Sequence, residues 1–81
     1  MNEIYIAEIL NGFKSGKKVC DLIYDEEHNY ALNDCIRLNY LTNIVSHQSE
    51  AGTYLFKISH NGVRLTDRAE MFLEKFSRIN S

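Results

Sequence analysis

The residues with the most potential for chemistry are two cysteines, Cys20 and Cys35, and three histidines, His28, His47 and His60. Nucleophilic catalysis needs a cysteine or serine beside a positioned base, and no local pattern joins either cysteine to a histidine. Zinc sites use closely spaced ligand pairs, whereas Cys20, His28 and Cys35 are separated by 8 and 7 residues. We therefore expect neither a catalytic site nor a metal site.

Other chemical motifs are equally sparse. Gly12 and Gly16 stand without the Lys–Ser/Thr pair of a phosphate-binding loop, so the sequence predicts no nucleotide cofactor and no small-molecule substrate. Free cysteine is among the most buried residue types, so we expect Cys35 in the core and Cys20 half-buried. The three histidines are expected at the surface or at its edge.

The composition is that of an ordinary small globular domain. The chain has 81 residues, of which 44% are hydrophobic and 25% charged, which suits one folded domain over residues 1–81 and argues against disorder. Residues 1–10 carry no basic n-region, and no apolar run approaches the ~20 residues of a membrane span. Since a reducing compartment keeps two isolated cysteines as thiols, we expect a cytoplasmic protein.

Helices and a hairpin must position these residues. Apolar side chains recur at i, i+3, i+4 and i+7 in three stretches, which predicts helices over residues 2–15, 25–39 and 66–78. Asn2 and Thr66 stand where N-terminal caps belong, and Asp25 opens the second long helix with a negative charge that suits the helix dipole. Asn39 stands where a left-handed residue commonly ends a helix.

Strand-forming residues dominate positions 41–59, and the polar stretch 48–52 interrupts them, which predicts a β-hairpin. Residues 18–24 fit a short strand or a one-turn helix. The order helix, short element, helix, hairpin, helix predicts an α+β domain. We expect it to be winged-helix-like, with three main helices and the hairpin as the wing.

Two segments resemble those of known winged-helix proteins. Residues 38–41, Leu-Asn-Tyr-Leu, resemble the turn that ends a recognition helix, with Asn39 in place of the usual glycine. Residues 63–73 resemble the opening of the last helix in small bacterial winged-helix proteins, with Ala69 in place of glycine. From Ile4 to Phe76 the chain resembles the YjcQ-like group of bacterial and phage-associated proteins, whose function is mostly unassigned. The resemblance implies association with double-stranded DNA.

In the DNA hypothesis, residues 25–39 form the recognition helix, with Asn29, Tyr30, Asn33 and Arg37 on its outward face, and the hairpin is the wing. Arginine and asparagine read guanine and adenine edges, and lysines contact phosphates. The candidate contacts are Asn29, Tyr30, Asn33, Arg37, His47, Gln48, Lys17 and Lys18.

The charge distribution opposes this hypothesis. Residues 1–50 carry a net charge of −4 and residues 51–81 a net charge of +2, so the basic excess lies outside the recognition helix. That helix begins with Asp25, Glu26 and Glu27 at the end that usually enters the groove. A homodimer that presents the basic C-terminal third would still bind DNA.

The alternative is a protein–protein interaction or dimerisation module that does not bind DNA. Ile36 lies at the border of the inward stripe of the second long helix, and Tyr30 adds aromatic surface beside it. The partner would be a second copy of the chain or another protein.

Overall fold

Four helices and four short strands make up residues 2–79, the part of the chain that the computed structural model describes. This α+β, winged-helix-like arrangement is the fold class predicted from the sequence. In chain order the elements are α1 (Glu3–Lys14), α2 (Val19–Leu22), α3 (Glu26–Arg37), β1 (Leu41–Thr42), β2 (Ile44–Gln48), β3 (Tyr54–Ile58), β4 (Arg64–Leu65) and α4 (Asp67–Ile79).

Local capping sets the ends of the main helices. Asn2, Asp25 and Thr66 each accept a hydrogen bond from the backbone N–H three residues further along, at 3.2, 2.8 and 3.3 Å. These bonds satisfy N–H groups that the helix itself leaves without partners. Asn39 adopts the left-handed conformation, with φ of 62°, just after α3. The caps predicted at Asn2 and Thr66 and the helix stop predicted at Asn39 are thus confirmed.

The ambiguous stretch 18–24 contains the one-turn helix α2. The Asp21 carboxylate accepts the Lys18 backbone N–H at 3.3 Å and so closes the turn. Leu22, which is buried, then packs on α1 at Gly12, where an added Cβ would overlap the leucine side chain. Gly12 is therefore the residue that allows α2 to approach α1 closely.

The predicted hairpin is present as β2 and β3, which pair antiparallel from Ile44↔Ile58 to Gln48↔Tyr54. Its first strand begins three residues later than the predicted position 41. Leu41 and Thr42 form the separate strand β1, which pairs with β4 instead. Asn43, with φ of 69°, turns the chain between β1 and β2. The short β1–β4 ladder therefore joins the end of α3 to the start of α4.

The core lies where α1, α3 and α4 meet the base of the hairpin. Cys35 belongs to it, as expected, and burial raises the pKa of its thiol to about 12. Cys20 is exposed on α2, so the expectation of a half-buried Cys20 was wrong. No helix within residues 2–79 is both long enough and apolar enough to cross a membrane. The buried apolar residues are Ile6, Ala7, Ile9, Leu10, Leu22, Ala31, Leu32, Cys35, Leu41, Ile44, Ala69 and Leu73.

Candidate functional site

The two asparagines of the predicted recognition helix face the hairpin. The Asn29 carboxamide donates to the Tyr54 carbonyl and accepts from the Tyr54 N–H, both at 2.8 Å. Asn33 is only 4% exposed and accepts a hydrogen bond from the Ser46 hydroxyl at 2.6 Å. Because these asparagines are four residues apart, they lie on one side of α3, and the hairpin covers that side. The expectation that Asn29 and Asn33 lie on the outward face was therefore wrong.

What remains accessible on α3 is the exposed stripe, formed by Glu26, Glu27, Tyr30, Asp34 and Arg37. Asp34 is half-buried and the other members are exposed. Tyr30, 39% exposed, packs edge-to-face on a hairpin tyrosine and donates a hydrogen bond from its hydroxyl to the Glu26 carboxylate. The exposed stripe thus carries three carboxylates and one guanidinium, so its charge has the sign that repels phosphate.

The remaining DNA-contact candidates lie at opposite ends of the hairpin. His47 and Gln48 are exposed near the turn, and Gln48 donates a hydrogen bond to the Gly52 carbonyl at 3.1 Å. Lys17 and Lys18 line a groove beside Ile58, at the other end of β3. Because Asn29 and Asn33 are bonded to the hairpin, the eight predicted contact residues do not form one accessible surface.

The hairpin presents apolar side chains to solvent. We define its outer face as Val45, His47, Leu55 and Lys57, which are cross-strand neighbours through the pairs Val45↔Lys57 and His47↔Leu55. Val45 is 60% exposed and Leu55 is 62% exposed. Ile36, the predicted interface residue, is half-buried and packs against the core. The more prominent apolar surface is therefore on the hairpin rather than on α3.

A buried histidine is the feature that sequence reasoning missed. His28 was expected at the surface or its edge, and this was wrong, since it is only 2% exposed. The Tyr5 ring stacks on it and the Tyr24 ring packs against it at a tilt, with ring centroids 4.2 and 4.3 Å away. Its Nδ1 lies 2.7 Å from an oxygen of Asp25, and its Nε2 lies 2.6 Å from an oxygen of Glu8. The cluster joins α1 to the first turn of α3.

The electrostatics of the cluster favour its charged form. Burial alone would lower the pKa of His28, but its hydrogen bonds to Asp25 and Glu8 outweigh burial and raise that pKa. The Tyr24 hydroxyl, together with His28, lowers the pKa of Glu8. The backbone N–H of His28, followed by its ring, lowers the pKa of Asp25. Opposite charges thus stabilise one another.

The same geometry limits the chemistry of His28. Both ring nitrogens contact carboxylates, so neither has a lone pair available to accept a proton from a substrate. Across residues 2–79, no cluster of histidine, cysteine, aspartate and glutamate has an arrangement suited to a metal ion. In the sequence, the feature that could have indicated these contacts of His28 is Asp25, which precedes it by three residues. Its other carboxylate partner, Glu8, lies 20 residues away in the chain.

The accessible surface therefore offers an acidic stripe on α3 and a partly apolar outer face on the hairpin. The two lie on different elements, and neither gathers a catalytic group with a base. Comparisons with protein-family models, curated proteins and solved structures found no match, so the resemblance to the YjcQ-like group stays a prediction.

Proposed function

We propose that this chain is a protein-interaction module of winged-helix type in which α3 does not read DNA. The exposed stripe of α3 carries the proposal, since three carboxylates and one guanidinium occupy the accessible part of this helix. DNA affinity comes largely from cations that replace the counterions of phosphates, so this stripe opposes binding. The asparagines that would read base edges are bonded to the hairpin.

The hairpin outer face supplies a surface suited to a protein. Val45 and Leu55 lie diagonally across it and His47 and Lys57 occupy the other diagonal, so the face mixes exposed apolar and polar side chains, as protein interfaces do. Complete burial of these two side chains by a partner would stabilise a complex by roughly 1–2 kcal/mol each. The partner is a second copy or another protein, which light scattering at high concentration distinguishes. Because Cys20 and Cys35 are free thiols, we place this function in the reducing cytoplasm.

The first experiment tests whether α3 contacts DNA. We expect no binding of the wild-type chain through α3 in fluorescence anisotropy with a random-sequence duplex at low salt. Arg37→Ala should leave the signal unchanged, whereas combined Glu26→Gln, Glu27→Gln and Asp34→Asn substitutions should raise affinity by removing phosphate repulsion. Tight binding of the wild type that Arg37→Ala weakens would contradict the proposal.

The second experiment tests the hairpin outer face. Leu55→Asp should abolish recovery of the partner in a nuclease-treated pull-down, because it replaces an exposed apolar side chain of this face by a charge that the partner would bury. Met71→Asp is the matched control, since Met71 is 68% exposed on α4 and receives the same kind of change. Equal recovery with both variants would show that the interaction does not use the hairpin.

A second candidate function is sequence-independent association with double-stranded DNA through Lys17 and Lys18. The observation in its favour is that both lysines are exposed on the α1–α2 turn, away from the acidic stripe. Replacing either lysine by alanine would then reduce the slope of log affinity against log salt by about 0.9. Arg37→Ala would leave that slope unchanged, which separates this candidate from recognition by α3.

A further inference from the structure

A groove lies between the end of α1, the one-turn helix α2 and the turn that follows β3. Its volume of about 450 Å³ falls within the range of ligand-binding clefts. Most of its lining surface is apolar, and two lysines complete it. The residues that matter here are Phe13, Val19, Ile58 and Val63, which we call the apolar floor, with Lys17 and Lys18 beside them.

The groove is positively charged because nothing that lines it neutralises the lysines. No carboxylate is among its lining residues, and neither Lys17 nor Lys18 forms an ion pair with any residue from 2 to 79. The preceding lysine, Lys14, differs because its ammonium lies 3.2 Å from a Glu70 oxygen. The Asp21 carboxylate faces the backbone N–H of Lys18. The groove thus joins an unneutralised positive rim to an apolar surface.

We propose that this groove binds a short acidic segment of a partner protein. An apolar side chain of that segment packs on Phe13, Val19, Ile58 and Val63, and its carboxylates pair with Lys17 and Lys18. A DNA duplex would satisfy the lysines but leave the apolar floor in water, and a neutral apolar segment would leave the lysines unpaired. The proposal rests on the proposed function and adds the chemistry of the partner.

A peptide with the sequence Glu-Glu-Leu-Phe-Glu-Glu, blocked at both ends, is the probe. Its matched control has glutamine in place of every glutamate, so the two peptides share their apolar centre. We expect the acidic peptide to shift the backbone amide resonances of residues 13–20 and 58–63 in ¹⁵N-labelled protein. The loss of two partly exposed ion pairs should make the glutamine peptide bind about two- to thirtyfold more weakly.

The thiol of Cys20 gives a second readout. Cys20 lies on the groove and is exposed, whereas Cys35 is buried with its pKa raised to about 12, so a thiol reagent reports on Cys20 in the folded protein. Bound acidic peptide should slow this reaction, and the glutamine peptide at the same concentration should not. An unchanged rate alongside resonance shifts elsewhere would place the peptide outside the groove and overturn the proposal.

Charge reversal identifies the residues that bind. Lys17→Glu combined with Lys18→Glu should weaken the acidic peptide at least tenfold, the scale expected for two lost ion pairs replaced by repulsion. Lys75→Glu, an exposed change on α4, is the control and should have no effect. Ile58→Ser, at a residue 44% exposed, should weaken both peptides because it reduces the apolar floor. Circular dichroism of each variant verifies folding.

Several outcomes would overturn this inference. Equal affinity for the two peptides would remove the role of the lysines. If a random-sequence DNA duplex displaces the acidic peptide at a concentration below that of the peptide, the lysines would be assigned to DNA. If the same amide resonances shift with protein concentration in the absence of peptide, the groove would be assigned to a second copy of the chain. If the acidic peptide does not bind while recovery of the partner in the pull-down still depends on Leu55, the proposed function stands and only this inference is wrong.

Discussion

The placement of α3 against the hairpin depends on Asn29, whose carboxamide forms two hydrogen bonds of 2.8 Å with the Tyr54 backbone. Asn29→Ala removes both bonds and leaves an N–H and a carbonyl of the half-buried Tyr54 without these partners. At roughly 0.5–1.5 kcal/mol net per bond, the loss in unfolding free energy is about 1–3 kcal/mol. The higher helix propensity of alanine offsets up to about 0.7 kcal/mol of this loss.

Asn11→Ala is the matched control for that offset. Asn11 is an exposed asparagine within α1, so the same chemical change there alters helix propensity without removing a contact to the hairpin. Urea denaturation followed by circular dichroism gives the unfolding free energy of each variant. The difference between Asn29→Ala and Asn11→Ala should therefore be about 1–3 kcal/mol, which is the contribution of the two bonds alone.

The result that would refute this reasoning is a urea midpoint for Asn29→Ala no lower than that for Asn11→Ala. In that case the Asn29 side chain does not hold the hairpin and is available at the surface, as the sequence alone suggested. Asn29→Asp refines the test, because aspartate has a similar helix propensity and can accept from the Tyr54 N–H but cannot donate to its carbonyl. It should also unfold at lower urea than the wild type.

Three further predictions concern other parts of the fold. Because the pKa of His28 is raised, its contribution to stability is complete below its unfolded pKa of ~6.5 and is lost as pH rises through the folded pKa. Because the pKa of Glu8 is lowered, its contribution to stability is complete above its unfolded pKa and is lost as pH falls through its folded pKa. The melting temperature of the wild type should therefore be highest between these two pH limits. His28→Phe should remove the decrease on the alkaline side. Gly12→Ala should lower the unfolding free energy measured in urea by up to about 2 kcal/mol. Overpacking against α2 costs ~1–3 kcal/mol, and the higher helix propensity of alanine offsets about 1 kcal/mol of this. An unchanged urea midpoint would mean that α2 moves away freely. Mass spectrometry after alkylation of folded protein should find the modification at Cys20, with Cys35 modified only after denaturation, and equal modification of both would contradict the burial of Cys35.

Local features of this fold were predictable from the sequence because their determinants are close together in the chain. The caps Asn2, Asp25 and Thr66 act on N–H groups three residues away. Asn2 and Thr66 were predicted as caps, and Asp25 was predicted as the start of its helix. The left-handed conformation at Asn39 likewise depends on that residue and its immediate neighbours. Such signals determine where helices begin and end without reference to tertiary structure.

The side of α3 that the hairpin covers was not predictable in this way. An asparagine can bond a base edge or a backbone amide, and its sequence position does not decide between them. The partner of Asn29 is 25 residues further along the chain, and the Glu8 partner of His28 is 20 residues back. The pairing of β1 with β4 was likewise not predictable, because these two-residue strands are separated in the chain by the whole hairpin.

The acidic groups that oppose DNA binding are also groups that hold α3 in place. Asp25 caps the helix and contacts His28, and Glu26 accepts a hydrogen bond from the Tyr30 hydroxyl. Replacing Asp25 would therefore remove contacts that fix the first turn of α3, whereas glutamine at position 26 can still accept a hydrogen bond from the Tyr30 hydroxyl. A winged-helix-like fold sets the position of this helix, but the partners of its side chains determine what it can bind. Because the first turn and the asparagines of α3 serve internal contacts, we propose that recognition uses the hairpin outer face and the lysine-rimmed groove.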